Sequence, residues 1–174
     1  SSKNIFKITC PTQDLLSYLK RENIFEIDKM FYLQDAIINI QDYIEKIKGN
    51  DKVFLDKIES YDHYFLAVGR LTKQKNYSYL ISEFINYLKI KKDGILLIIG
   101  EGEEKNMLTE LIRKNNASNN VFILSNISNV YPFMKKARAL ILASLWEEVG
   151  FVIVEAAFCN LFVISSDCPN GPKE

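Results

Sequence analysis

From residue 64 onward the chain alternates short, wholly apolar runs with longer stretches in which apolar side chains recur every three or four positions. Residues 64–68, 95–99, 121–124, 139–143 and 161–164 are four or five residues long and contain no Gly or Pro. They read as strands, and the run 139–143 as one buried on both faces of a sheet. Between them, Leu80, Ile81, Phe84, Ile85 and Leu88 fall on one face of a helix, and Met107, Leu108, Leu111 and Ile112 point inward from another. Pro132 at a first turn starts a short helix, and residues 151–159 carry enough Ala, Val and Phe to pack as a helix on the sheet. Connections of this length require parallel strands joined by crossovers. The expected fold is therefore α/β, a doubly wound parallel sheet of Rossmann-like type.

Upstream the pattern is less regular. Residues 5–9 and 29–33 are plausible strands, and Pro11-Thr12 opens a helix with Leu15, Leu16 and Leu19 on one face. Ile37, Ile38, Ile40, Tyr43, Ile44 and Ile47 suggest an amphipathic helix closed by Gly49-Asn50, and the charged residues 51–62 read as a connector. This divides the chain at residues 1–48 and 49–174. The last residues, 167–174, form a Pro- and Gly-rich loop where a crossover helix should follow, so the chain reads as cut short; a start at Ser1 rather than Met suggests an omitted upstream segment.

Composition narrows the function classes. The 174 residues are 48% hydrophobic, and 22 Lys and Arg balance 22 Asp and Glu, which describes one ordinary globular domain with at most an appended piece. Zero net charge argues against a nucleic-acid surface, which needs a basic stripe. No apolar run reaches the ~20 residues of a membrane span. Cys10, Cys159 and Cys168 form no Cys-x-x-Cys pair and stand far from the sole His63, so neither a zinc site nor a disulfide framework follows and the cytosol is the expected compartment. Cys159 should be buried and inert on the apolar side of its helix, and the many Tyr and Phe residues fit core packing.

The candidate chemistry gathers where strands meet helices. An open parallel sheet binds ligands beyond the carboxyl ends of its strands. In residues 144–157, Gly150 relaxes the turn after a strand, and the N–H groups of Phe151 and Val152 at the following helix start attract anions. Glu147 and Glu155 can face the same crevice. A carboxylate only accepts hydrogen bonds and so suits hydroxyls; a ligand with both phosphates and hydroxyls is a sugar nucleotide. The plainer alternative is that Glu147 and Glu148 favour the helix dipole while Glu155 is a solvated face residue, and spacing alone favours it. Arg70 and Lys75, after Gly69, offer a bidentate fork and a point charge suited to a diphosphate, although a basic loop is usually solvated surface. Gly100 and Gly102 follow a strand, but position 105 is Lys, so the glycine fingerprint of NAD-binding domains is incomplete and Gly102 instead permits a tight turn beside a ligand. Asn126 and Ile127, with Ser128 and Asn129, lie on a loop whose backbone can read a nucleobase edge or can be an ordinary loop.

Taken in order, Gly69-Arg70-Leu71 with Lys75, Gly100-Glu101-Gly102, Ser144, and Glu147 and Glu155 with seven residues between them resemble the nucleotide-sugar-binding half of retaining GT-B glycosyltransferases of the family 4 type, from about residue 64 to the end. The resemblance implies that Arg70, Lys75 and the backbone of Gly150, Phe151 and Val152 hold the donor diphosphate. By the same likeness Glu147 is the catalytic candidate at the sugar hydroxyls near the reacting carbon, and Glu155 binds the ribose. Beside these, Asn126 and Ile127 are the candidate nucleobase loop, and Gly69, Gly100 and Gly102 the candidate donor-side turns. The resemblance implies a UDP- or GDP-sugar as substrate, with no cofactor and no metal, and a saccharide or lipid-linked acceptor bound through an absent N-terminal domain, of which residues 1–48 resemble the closing segment and linker. No nucleic-acid partner and no transmembrane segment are expected; the location is cytoplasmic, with room for work at the inner face of the membrane in the intact protein, and residues 167–174 resemble the tail loop of bacterial enzymes that build surface glycans. The chain departs from the family pattern at Glu148, where Gly is usual, at Asn160-Leu161-Phe162, where Gly-x-Pro is usual, and at Asp35, where Asn is usual; Asn160 tolerates positive φ, so that turn can survive. The competing expectations are a nucleotide-sugar epimerase or a phosphorylase of the same architecture, a non-catalytic nucleotide-binding module, and, last, an NAD-linked reductase.

Overall fold

The computed structural model describes residues 5–33, 39–48 and 64–173. Asp35, Ile37, Ile38, the turn Gly49-Asn50, the connector 51–62 and His63, all singled out in the sequence, lie outside these residues.

The apolar runs after residue 64 form one parallel sheet. Its strands are β3 (Phe65–Val68), β4 (Leu96–Ile99), β5 (Val121–Leu124), β6 (Ala139–Leu142) and β7 (Val163–Ser165), in the order β5-β4-β3-β6-β7. The helices between them are α3 (Tyr77–Lys91), α4 (Lys105–Lys114), α5 (Tyr131–Lys136) and α6 (Phe151–Phe158). Alternate residues of each strand feed two cores. Leu66, Leu97, Ile99, Leu140 and Leu142 pack with Phe133 of α5 and with Val152 and Ala156 of α6. On the other face Ala67, Leu96 and Ile98 pack with Leu80, Ile81 and Phe84 of α3 and with Leu108 and Ile112 of α4. Burial on both faces explains why β4 is apolar at every position.

The upstream residues make a smaller unit. β1 (Ile8–Cys10) pairs parallel with β2 (Met30–Tyr32), and α1 (Gln13–Arg21) packs Leu16 against Cys10 and Met30. Thr12 caps α1, its hydroxyl accepting from the Leu15 N–H at 3.2 Å. The next helix, α2 (Ile40–Lys48), leans on the large sheet's helical layer: Tyr43 packs edge-on against Tyr131 of α5 with ring centroids 5.0 Å apart, and its hydroxyl donates to the Phe158 carbonyl at 2.5 Å.

Three expectations are corrected. Leu161 does not open the last strand, because α6 ends in a Schellman turn: the Leu161 N–H reaches the Ala156 carbonyl, the Asn160 N–H reaches that of Ala157, and Asn160 takes φ 53°. Leu161 thereby enters the core and the strand begins at Val163. Met107 is 45% exposed, since Leu108 and Ile112 already fill the helix–sheet seam. Cys159 is only partly buried, because it caps the end of α6 where the helix leaves the sheet, against the Tyr43 side chain.

Candidate functional site

The strand order places a topological switch point between β3 and β6: the chain leaves β3 toward β4 and β6 toward β7, so a crevice opens beyond their carboxyl ends. The loops that follow these two strands are clasped together. The Leu145 N–H donates to the Gln74 carbonyl at 2.8 Å, and the Gln74 side-chain amide donates back to the Trp146 carbonyl at 2.8 Å. From the far side, the Glu147 N–H reaches the Pro169 carbonyl at 3.2 Å and the Asn170 amide reaches the Glu147 carbonyl at 3.0 Å. The turn carrying Glu147 is therefore fixed by backbone contacts from both flanks.

A cavity of about 430 Å³ occupies the crevice. Gly69, Arg70 and Lys75 line it from one side, Trp146, Glu147, Glu148 and Gly150 from the other, and Phe151, Val152 and Glu155 from α6. Most of the residues singled out from sequence thus meet on one rim, although they come from stretches some 85 positions apart in the chain. Asn126, Ile127, Gly100 and Gly102 do not line this cavity. Asn126 is exposed at the end of β5 with φ 59°, and Ile127 packs on the core. The two glycines are required by packing of loop on loop: a Cβ on Gly100 would stand 1.9 Å from the Gly69 carbonyl oxygen, and one on Gly102 would stand 2.4 Å from that of Leu71. They let the β4 loop nest against the loop that carries Arg70.

The charges are not distributed evenly. Lys75 Nζ lies 2.5 Å from Glu147 Oε1, and the Ser144 hydroxyl donates to the same oxygen at 2.5 Å. Both members of the ion pair are nearly out of solvent, with side chains 12% and 6% exposed. The buried Tyr77 hydroxyl is pushed well above its ordinary range, first by burial and then by the Glu147 charge. Lys75 is thus neutralised within the protein. Among the described residues Arg70, exposed, makes one long contact of 3.5 Å to Gln74, which leaves the rest of its fork for solvent or a ligand. Beside it α6 begins at Gly150 with φ 70° and no side-chain cap; the Ile153 N–H turns back to the Gly150 carbonyl at 2.8 Å, and Phe151 and Val152, whose N–H groups precede the helical ladder, line the cavity.

Glu155 stands further along α6 in a different setting. It is half-buried, and burial raises its pKa, while the charge of Lys46 on α2 acts the other way. A carboxylate perturbed by burial plus a named charge, in a cleft, has the signature of a functional group. Gln74 and Trp146 also line the cavity and carry no signal in the sequence pattern, because Gln74 acts through backbone and side-chain bonds to a loop 72 positions away. Among the described residues no group of three or more His, Cys, Asp and Glu is arranged to hold a metal ion, and no helix is long and apolar enough to cross a membrane.

Known proteins resemble this chain in sequence and in fold. It is 38% identical over 152 residues to an uncharacterized glycosyltransferase of Methanocaldococcus jannaschii, covering 87% of this chain and 34% of that protein. It is 28% identical over 173 residues to the N-acetylgalactosamine-N,N'-diacetylbacillosaminyl-diphospho-undecaprenol 4-alpha-N-acetylgalactosaminyltransferase of Campylobacter jejuni, covering 99% of this chain and 47% of that protein. The chain therefore spans half or less of the length of either relative. Anabaena HepE in complex with UDP-glucose superposes with a TM-score of 0.80 at 16% identity, over 99% of this chain and 47% of that one. WaaG, a glycosyltransferase involved in lipopolysaccharide biosynthesis, gives 0.77 at 19% identity over 96% and 46%. The fold is that of one half of a GT-B glycosyltransferase, and since the model of the glycosyl transferases group 1 family matches residues 51–174, the chain belongs to that family.

Proposed function

We propose that the cavity between β3 and β6 binds a nucleoside-diphosphate sugar, and that the whole protein transfers its sugar, with retention of anomeric configuration, to a saccharide or lipid-linked acceptor in surface-glycan assembly. The observation that carries this reading is the meeting of an exposed Arg70, an uncapped helix start at Gly150 and two carboxylates of unlike environment around one cavity. Departure of the sugar builds negative charge on the diphosphate. The Arg70 fork and the N–H groups of Phe151 and Val152 are aimed where that charge develops and lower the barrier electrostatically. Glu147, kept in place by Lys75 and Ser144, accepts from sugar hydroxyls near the reacting carbon, and Glu155 accepts from the ribose. Lys75 contributes to the diphosphate when the ligand competes with Glu147 for its ammonium group. The glycan role is supported by the Campylobacter relative, whose name is that of a transferase acting on a diphospho-undecaprenol-linked saccharide.

Calorimetry with UDP and GDP tests the donor half. A hydrogen bond to a charged group contributes about 1.5–3 kcal/mol, so Arg70→Ala should weaken the preferred nucleotide roughly tenfold to a hundredfold. Unchanged affinity removes Arg70 from the site, and binding of neither nucleotide to the wild-type chain removes the function. For the intact protein, the anomer formed from a labelled donor, read by NMR, distinguishes transfer with retention from inversion; release of a free epimer or dependence on phosphate would instead mark an epimerase or a phosphorylase.

A further inference from the structure

Gln74 sits in a single 3-10 turn, Lys73–Lys75, on the cavity wall that also carries Arg70 and Lys75. Two of its polar groups are committed to the loop after β6. Its backbone carbonyl accepts from the Leu145 N–H at 2.8 Å, and its amide nitrogen donates to the Trp146 carbonyl at 2.8 Å. The amide oxygen remains, and Arg70 Nη2 lies 3.5 Å from it. The two partners admit only this orientation of the amide: a carbonyl can only accept, so the nitrogen faces Trp146, and a guanidinium can only donate, so the oxygen faces Arg70. A contact of 3.5 Å aims the fork without saturating it, and four of its five N–H donors point elsewhere. Lys75, the next residue of the turn, is held by Glu147, so Arg70 is the cation a ligand meets first.

We propose that Gln74 is a positioning residue for the diphosphate: its amide, anchored on the Trp146 carbonyl, holds the Arg70 guanidinium at the cavity before a ligand arrives. This rests on the reading of Arg70 given above. An exposed arginine that is free beforehand must be ordered on binding, and that cost is taken from the affinity. Loss of the amide leaves the loops joined, because the bond from Leu145 runs to the Gln74 backbone and survives any side-chain change. A residue that merely shaped the loop would act on the ligand whether or not Arg70 were present.

The test is a double-mutant cycle read by titration calorimetry on the full chain, with UDP or GDP, whichever binds wild type more tightly. The variants are Gln74→Met, which keeps length and removes both amide contacts, Arg70→Ala, and the two combined. Thermal melting checks that each is folded, and ligand-detected NMR extends the titration to the weakest binder. Gln74→Met should weaken the nucleotide about threefold to tenfold when Arg70 is present and less than about twofold when position 70 is Ala. Equal losses in the two backgrounds overturn the inference, and so does no loss beside an intact Arg70; both leave the role of Arg70 standing. An Arg70→Ala variant that binds as wild type overturns the reading of Arg70, and the positioning role falls with it.

Discussion

The turn after β6 and the second turn of α6 each bring a carboxylate to the same cavity, yet they hold it by opposite means. Glu147 is 5% exposed and shares one oxygen between an ammonium and a hydroxyl, with its backbone clamped to Pro169 and Asn170. Glu155 is half-buried and makes no ion pair among the described residues, and its charge feels burial and, more distantly, Lys46. An ion pair fixes a charge at the expense of its freedom to meet a ligand. A carboxylate outside an ion pair keeps its charge available. On this comparison the Glu147 corner is the mechanical brace of the site, and the Glu155 corner trades stability for recognition.

The largest expected effect comes from breaking the brace. Removing one member of a buried ion pair strands the other charge and costs about 3–5 kcal/mol. Lys75→Met should therefore lower the melting temperature by roughly 10 °C for a chain of this size. Adding Glu147→Gln to Lys75→Met should recover much of that loss, because the stranded charge is gone. A melt of Lys75→Met within a degree or two of wild type would mean that Glu147 turns out to solvent once released, and the corner would then be no brace.

The contrast between the two carboxylates was only half visible in the sequence. Strand and helix alternation from residue 64 is legible because periodicity reports burial directly, and the positions of Arg70, Lys75, Glu147 and Glu155 after strand ends follow from it. Two cations and two carboxylates can be placed on one rim that way, but a one-dimensional pattern holds no information on which pair touches. The Lys75–Glu147 contact joins residues 72 positions apart and depends on how Gln74 clasps the neighbouring loop. Gly100 and Gly102 show the same limit from the other side: in the sequence they read as a tight turn beside a ligand, and their reason in the fold is the approach of the backbone of Gly69 and Leu71.

The second prediction sets stability against function at the Glu155 corner. Burial raises the folded-state pKa of Glu155 above its unfolded value, so folding favours the protonated form. That stabilising contribution is complete below the ordinary carboxylate range and is lost as pH rises through the folded-state pKa. At neutral pH the charged group is thus a cost to the unliganded fold. Glu155→Gln should melt higher than wild type at pH 7, with the difference closing as pH falls below the carboxylate range, while its ribonucleotide affinity falls about tenfold or more. Lower stability at pH 7 in the Gln variant would show that the charge of Lys46 outweighs burial, and the trade-off would be absent.

The smallest effect separates the ring of Tyr43 from its hydroxyl. The hydroxyl bond to the Phe158 carbonyl lies in an exposed setting, where a neutral hydrogen bond contributes about 0.5–1.5 kcal/mol net. The ring packs on both Tyr131 and Phe158, with centroids 5.0 and 5.1 Å apart. Tyr43→Phe keeps those contacts, so its melting temperature should fall by no more than about 2–4 °C. Tyr43→Ala removes the ring contacts with Tyr131 and Phe158 as well and should lower the melting temperature further. If Phe and Ala at this position lower it equally, the hydroxyl tie to α6, and not the edge-on ring, is what holds α2 against this corner.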